Sequence, residues 1–335
     1  MKILITGGAG FLGSEIVDKI LDVKNVELTV IDNLSRGYRQ RLKKNIKNIK
    51  FIKADVCKLN DLGLPKFDWI IHSSAIAPLP DNQCNHYNSI VSNIAQCGSV
   101  TDFCIKSGTK NIIFFSSSAI YEKEIKKPFI ESITKQPILM YSTSKYLAEK
   151  YFDSVASSYK INIISLRLAN IYGRNQDYFR KQIPLLGYLI KNTLGNKKMT
   201  LYAKGDYKRD YLFIDDLIDL ISKILKFKKF SHKHYIFNVG SGNAYSVLDF
   251  LGIITKLTGV KPKVLWGNKN NYWKKYKEIY FSKLKFNKKL IKDEVEKKVI
   301  LNSNKVKVFF KWFPKTNIEI GLNNCINHAK KFLVK

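Results

Sequence analysis

The chain has 335 residues, with 58 Lys+Arg against 27 Asp+Glu for a formal net charge of +31, and is 45% hydrophobic and 13% aromatic. That apolar and aromatic content excludes a disordered polybasic tail, and at roughly 150 residues per domain the length suggests about two domains, each able to bury a core. No run approaches the ~18 uninterrupted apolar residues of a membrane helix, and MKILITGG reaches glycine before a secretory core could form, so a soluble cytoplasmic protein without a membrane partner is expected.

Lys2–Ile5 is an apolar run of strand length, and Thr6-Gly7-Gly8-Ala9-Gly10-Phe11-Leu12-Gly13 follows it into a helical pattern over Phe11–Leu21. The glycines fit GxxGxxG through Gly7, Gly10 and Gly13, or GxGxxG through Gly8, Gly10 and Gly13. In either register they permit a tight turn and let backbone N–H groups approach a pyrophosphate at the positive end of a helix. Leu28–Ile31 is the next strand, and Asp32 ends it, 19 residues past Gly13. Asp32 is placed to accept from the adenosine ribose hydroxyls and to repel a 2′-phosphate, so the pattern favours NAD over NADP. Arg36 nearby tempers that preference without reversing it.

Phe51–Ile52 and Trp69–Ile71 read as further strands, Ile90–Ser107 as a helix and Ile112–Phe115 as another strand. Strands alternating with helices imply right-handed βαβ units, hence an α/β protein with a doubly wound parallel sheet covered on both faces. Phe114-Phe115-Ser116-Ser117-Ser118-Ala119-Ile120-Tyr121 is a strand ending in hydroxyls, at the carboxyl end where such a sheet presents ligands. Then comes Tyr141-Ser142-Thr143-Ser144-Lys145, in which helical spacing puts the phenol and the ammonium on one face. Bringing a phenol from ~10 to ~7 takes about 4 kcal/mol, roughly what one cation ~4 Å away supplies at an effective dielectric of ~20. Tyr141 can then serve as a general base at neutral pH, with a serine hydroxyl relaying the proton.

Beyond about residue 172 the alternation loosens, and Ile183–Lys191, Asp215–Phe227 and Ser246–Thr258 read as helices between Gly-, Asn- and Lys-rich loops. Lys261–Lys311 is the most basic segment, with sixteen lysines against four carboxylates, and it carries aromatics at Trp266, Tyr272, Trp273, Tyr276, Tyr280, Phe281 and Phe286. Such interleaving can stack bases. Yet only seven basic residues are arginine and 51 are lysine, whereas nucleic-acid sites favour the arginine fork. The charge therefore reads as composition, with no nucleic-acid partner. Five cysteines (Cys57, Cys84, Cys97, Cys104, Cys325) form no CxxC pair, and the five histidines are scattered, so no metal is expected.

Taken together, these motifs resemble the extended short-chain dehydrogenase/reductases, specifically the NAD-dependent sugar-nucleotide epimerase/dehydratase family and its UDP-glucose 4-epimerase-like members. The likeness runs on through Asp55-Val56, His72-Ser73-Ser74-Ala75, Asn93, Arg167-Leu168-Ala169-Asn170-Ile171-Tyr172-Gly173, Arg209-Asp210-Tyr211 and Asn238-Val239-Gly240 to Trp312-Phe313-Pro314. It implies a Rossmann-type domain over 1–172 plus about 210–240, and a smaller α/β substrate domain over about 173–209 and 241–335. It implies NAD held by Gly7, Gly10, Phe11, Leu12, Gly13, Asp32, Asn33, Asp55, Val56, Ala75, Asn93 and Lys145. It implies Ser117, Tyr141 and Lys145 as the catalytic set, with Ser118, Asn170 and Arg209 on the substrate. Counting back from Tyr121 selects Ser117 as the catalytic hydroxyl and counting forward along the serines selects Ser118; Ser117 is preferred.

In the family's dehydratases and decarboxylating members, carboxylates fall at the positions of Ser118 and Ala119. Neither is present, so elimination lacks its acid and base. The resemblance then implies an epimerase of a nucleotide-diphosphate sugar, a UDP-hexose inverted at C4 by transient oxidation, in a cytoplasmic homodimer packed on the Tyr141 helix through Tyr146-Leu147-Ala148 and Tyr151-Phe152. A dehydrogenase or reductase is the alternative within the family, and an NAD-binding sensor or polyanion-binding module without turnover is the alternative outside it. The chain departs from the family at Glu122, where glycine is usual, and at Lys292-Asp293-Glu294-Val295, the nearest likeness to an R-P-G-[DE] motif.

Overall fold

The protein is described by a computed structural model over residues 1–333, except 24, 44, 78, 123–127, 133–134, 181, 282 and 288–296; Lys292-Asp293-Glu294-Val295 lies outside the described residues. The chain opens with β1 (Lys2–Thr6), α1 (Phe11–Ile20), β2 (Glu27–Ile31), β3 (Lys50–Ile52) and β4 (Trp69–His72). Helices α2 (Leu79–Cys84), α3 (His86–Ile90) and α4 (Gln96–Ser107) follow, then β5 (Asn111–Ser117), α5 (Met140–Tyr159) and β6 (Asn162–Leu168). Next are β7 (Asn170–Tyr172), α6 (Leu185–Leu194), β8 (Met199–Tyr202), β9 (Arg209–Phe213) and α7 (Ile214–Lys226). The series ends with β10 (His234–Val239), β11 (Ala244–Tyr245), α8 (Val247–Thr258) and β12 (Val264–Gly267), followed by helices over Asn304–Phe310 and Ile318–Leu333.

Seven parallel strands form the main sheet in the order β10-β6-β5-β4-β1-β2-β3. Four successive residues are buried in β1, β2 and β4, and all seven in β6. Continuous burial, rather than alternation, follows from helices covering both faces of a parallel sheet. The chain leaves β1 towards β2 on one side and takes up β4 on the other, which opens a crevice at the carboxyl end of β1. Two small sheets, β11-β9-β7 and β12-β8, stand beside this frame. Among the described residues no helix is long and apolar enough to cross a membrane.

Three expected elements differ in detail. The helix expected over Ile90–Ser107 is interrupted by a π-helical segment, Val91–Ala95, because the buried Asn93 side chain turns inward to bond Ile76, Asn82 and Ser144. The serine strand stops at Ser117, whose hydroxyl accepts the Ala119 N–H and starts a 3-10 turn over Ser118–Tyr121. Helix α6 begins at Leu185 rather than Ile183, since Pro184 disfavours helical backbone at the residue before it.

Candidate active site

At the mouth of the crevice Gly7 leaves β1 with φ +70°, and a Cβ there would lie 2.7 Å from the Ser74 backbone. The Gly10 N–H bonds back to Gly7 O at 3.1 Å, and a Cβ on Gly13 would stand 2.3 Å from that oxygen. A Cβ on Gly8 would instead meet the Val30 side chain at 2.4 Å. Gly7, Gly10 and Gly13 thus shape the turn, while Gly8 serves the core behind it. Helix α1 begins at Phe11 with no side-chain cap, leaving the N–H groups of Phe11, Leu12 and Gly13 at its positive end.

Asp32 is buried at the end of β2, where its Oδ2 accepts the Ala9 N–H at 3.0 Å and its Oδ1 the Leu34 N–H at 2.7 Å. Burial pushes its carboxyl above the ordinary value, and the two amides and Arg41 oppose that shift. Arg36, read as tempering the preference for NAD, pairs with Asp81 of α2. The 3-10 turn Arg39–Leu42 places Arg41 where its charge lowers the Asp32 pKa. Asn33 donates to Asp55 Oδ2 at 3.0 Å, and Asp55 Oδ1 caps the turn that holds buried Val56. A cradle that any Cβ would fill, next to a carboxylate at the end of β2, fits the pyrophosphate and ribose of a dinucleotide.

The loop after β4 carries half-buried Ala75. Asn93 fixes this loop, accepting the Ile76 N–H at 3.0 Å and donating to Ser144 of α5 at 3.2 Å and to Asn82 at 2.8 Å. Its amide is bonded within the protein, which makes it a residue that positions the loop.

Where β5 meets α5, the Tyr141 phenol and the Ser117 hydroxyl are near enough to interact. Burial pushes the phenol above its ordinary pKa, and the Ser117 hydroxyl is the influence that lowers it. Lys145, one turn along, donates to Phe115 O at 2.8 Å and lies 4.6 Å from the centre of the Phe114 ring. Burial pulls the Lys145 pKa down to about 8, against Cys97 and Glu149. The cation is thus anchored to the backbone of β5. Ser118 is buried beside them.

Sequence reasoning missed the layer beneath. Glu149, a further turn along α5, accepts from Ser116 Oγ at 2.5 Å and pairs with Arg167 of β6 at 2.6 Å. Arg167 also donates to Tyr121 OH at 2.8 Å, which itself donates to Asn238 of β10 at 2.6 Å. The repeat Tyr141, Lys145, Glu149 along one helix face was the available signal.

On the far side, Asn170 of β7 donates to Asp210 O at 3.0 Å and Arg209 of β9 donates through Nε to Lys297 O at 3.2 Å. Their paired strands, β7 and β9, bring them to one edge, but no bond joins them to Tyr141 among the described residues. No group of three or more metal-ligating side chains occurs among the described residues.

Residues 3–240 match the family model described as NAD dependent epimerase/dehydratase family. An uncharacterized protein of Methanocaldococcus jannaschii is 30% identical over 275 residues, 78% of this chain and 82% of that one. Human dTDP-D-glucose 4,6-dehydratase is 28% identical over 257 residues, 74% of this chain and 71% of its own. The crystal structure of Thermotoga maritima UDP-glucose 4-epimerase with UDP-glucose superposes with a TM-score of 0.84 at 26% identity, covering 99% of this chain and 100% of that one. The chain belongs to the NAD-dependent epimerase/dehydratase family, and its cofactor is NAD.

Proposed function

We propose that this member of the family epimerises a nucleotide-diphosphate sugar, a UDP-hexose at C4, through a transient keto-sugar. The observation that carries the reading is the placement of Tyr141 next to Ser117 at the carboxyl end of β5, combined with Ser118 and Ala119 in place of carboxylates. A dehydratase needs an acid and a base there to expel water. The nearby Glu122 carboxylate is occupied by the Leu139 and Ile138 N–H groups and the Ser142 hydroxyl.

In this reading Gly7 and Gly10 shape the turn that receives the pyrophosphate of NAD, and the N–H groups of Phe11, Leu12 and Gly13 hold it. Asp32 and Asn33 take the adenosine ribose, Asp55 and Val56 border the adenine, and Ala75 and Lys145 face the nicotinamide half. Bound NAD supplies a reversible hydride acceptor at its nicotinamide ring. Tyr141 is the base that takes the proton of the sugar C4 hydroxyl, and Ser117 donates to the same oxygen and shares the proton path. Ser118, Asn170 and Arg209 hold the sugar and its diphosphate while the ketone turns its other face. Tyr141 then returns the proton to the C4 oxygen, so the protein ends the cycle as it began.

Purified protein with its bound NAD, given UDP-glucose or UDP-galactose and followed by proton NMR, is expected to interconvert the two with no net change in NAD. Accumulation of a keto-sugar, or consumption of NAD in step with the sugar, overturns the reading. The α5 face is the proposed dimer contact. Ala148 and Phe152 are core residues, which leaves exposed Leu147 with half-buried Tyr146 and Tyr151. Sedimentation of wild type and Leu147→Asp tests this, a monomer in both cases excluding it.

A further inference from the structure

Helix α5 begins at Met140 with no side-chain cap from Leu139. The first N–H groups of a helix lack partners within it, and an uncapped first turn frays. Tyr141 is the second residue of that turn, so the position of its phenol depends on how the turn is held.

Two side chains from elsewhere in the fold hold it. Gln83 of α2 accepts the Met140 N–H at 3.2 Å. Glu122 does more: its Oε1 accepts the Leu139 N–H at 2.9 Å and also the Ile138 N–H, and its Oε2 accepts from Ser142 Oγ at 2.8 Å. These contacts bracket Tyr141 on both sides, and a carboxylate at this end of a helix is favoured by the dipole. Glu122 closes the same short turn that starts at Ser117, its N–H bonded to Ala119 O at 3.1 Å. That turn is itself anchored by Tyr121 to Asn238 and Arg167. Ser117, the turn, Glu122 and the start of α5 therefore form a continuous path that returns Tyr141 to the neighbourhood of Ser117.

We propose that Glu122 is a positioning residue for the reaction, a clamp that sets the first turn of α5 so that the Tyr141 phenol meets the Ser117 hydroxyl. The inference rests on Tyr141 being the base. Misplacement of a reacting group by about 1 Å can cost on the order of 100-fold in rate. Loss of the clamp should therefore appear in kcat while nucleotide-sugar binding is kept.

The test compares Glu122→Ala, Glu122→Gln and Tyr141→Phe in the NAD-loaded protein, with amide hydrogen exchange at Ile138 and Leu139 measured in parallel. Glu122→Ala is expected to lower kcat about tenfold or more with KM and NAD content unchanged, and to lose protection at both amides. Glu122→Gln keeps an acceptor oxygen for those amides and is expected to restore both readouts. Wild-type kcat in Glu122→Ala with Tyr141→Phe inactive overturns the clamp alone; full turnover in Tyr141→Phe overturns the base assignment on which it rests. A loss in Glu122→Ala that Glu122→Gln does not restore, or that falls on KM and NAD content, also overturns the clamp. If Glu122→Ala does not fold, Ser142→Ala reads the same question, a reduced kcat at unchanged KM supporting the clamp and a wild-type kcat overturning it.

Discussion

The Arg167 guanidinium lies flat against the Glu149 carboxylate, Nη2 to Oε2 at 2.6 Å and Nε to Oε1 at 2.9 Å, with both side chains almost wholly buried. Burial works against the Arg167 charge, and Glu149 outweighs it, so the guanidinium pKa is raised. The pair joins α5 to β6 one turn below Lys145 and also fixes Ser116 of β5. It holds β5, which carries Ser117, and α5, which carries Tyr141 and Lys145, against β6.

Breaking one side of this pair leaves a buried charge alone. Glu149→Gln or Arg167→Met is expected to cost about 3–5 kcal/mol of unfolding free energy, and the double variant distinctly less than the sum of the two. Urea unfolding of the four proteins gives the coupling. Additive losses would show that the pair is not a unit.

The glycine turn separates cofactor binding from stability. In Gly13→Ala the new Cβ meets Gly7 O at 2.3 Å and Gly8 Cα at 2.6 Å, both backbone atoms, so the cradle must open. In Gly8→Ala it meets the Val30 side chain at 2.4 Å, so the core is overpacked by roughly 1–3 kcal/mol. Gly13→Ala is expected to purify with little NAD, and Gly8→Ala to lower the melting temperature. The absorbance ratio at 260 and 280 nm and a thermal melt distinguish them; Gly13→Ala with full NAD content refutes the assignment.

The parts of this site legible in the sequence are those set by local spacing. The glycine turn, Asp32 at the next strand's end, and Tyr141 and Lys145 one helical turn apart each depend on residues within a single βα unit. What was not legible depends on residues distant in the chain meeting in space. Arg36 lies four residues from Asp32 and reaches across to Asp81, while a 3-10 turn brings the more distant Arg41 to bear on Asp32. Lys145 donates to Phe115 O, a contact across to β5 that helical spacing does not reveal. Glu149 finds Arg167, and Glu122 finds the start of α5, only once the sheet is assembled.

Two buried basic groups make stability depend on pH. His72 is buried with Nδ1 bonded to Thr6 Oγ1 at 2.7 Å, and burial, then Lys145, pulls its pKa from 6.5 to about 3. Between pH 6.5 and about 3 the unfolded chain binds more protons than the folded one, so stability falls as the solution is acidified through that window. The gap amounts to on the order of 5 kcal/mol. Lys145, lowered from 10.5 to about 8, has the same sign, and stability rises with pH between those values. Urea midpoints against pH are expected to show both slopes. His72→Phe should flatten the acid one and Lys145→Met the alkaline one. A His72→Phe protein with the wild-type acid slope rules out His72 as its source.

A second constellation has the outward form of a nucleophile with its base. Ser165 of β6 lies 2.7 Å from His234 Nε2, and His234 Nδ1 lies 2.6 Å from Asp153 of α5. The geometry matches a serine–histidine–aspartate relay, but Ser165 has no exposed surface. A nucleophile must meet its substrate, so this relay is structural and joins α5, β6 and β10 through three polar side chains. The His234 bond pulls the Asp153 carboxyl below its ordinary value, so its contribution is present above the unfolded carboxylate range and lost as pH falls through the folded value. Ser165→Ala leaves His234 Nε2 without its partner and is expected to cost roughly 1–3 kcal/mol while epimerase turnover stays at the wild-type level. The protein is likewise expected to release no nitrophenol from p-nitrophenyl acetate above the rate of Ser165→Ala. Labelling of Ser165 by a fluorophosphonate would overturn the structural assignment, because that reagent reaches only a serine open to solvent.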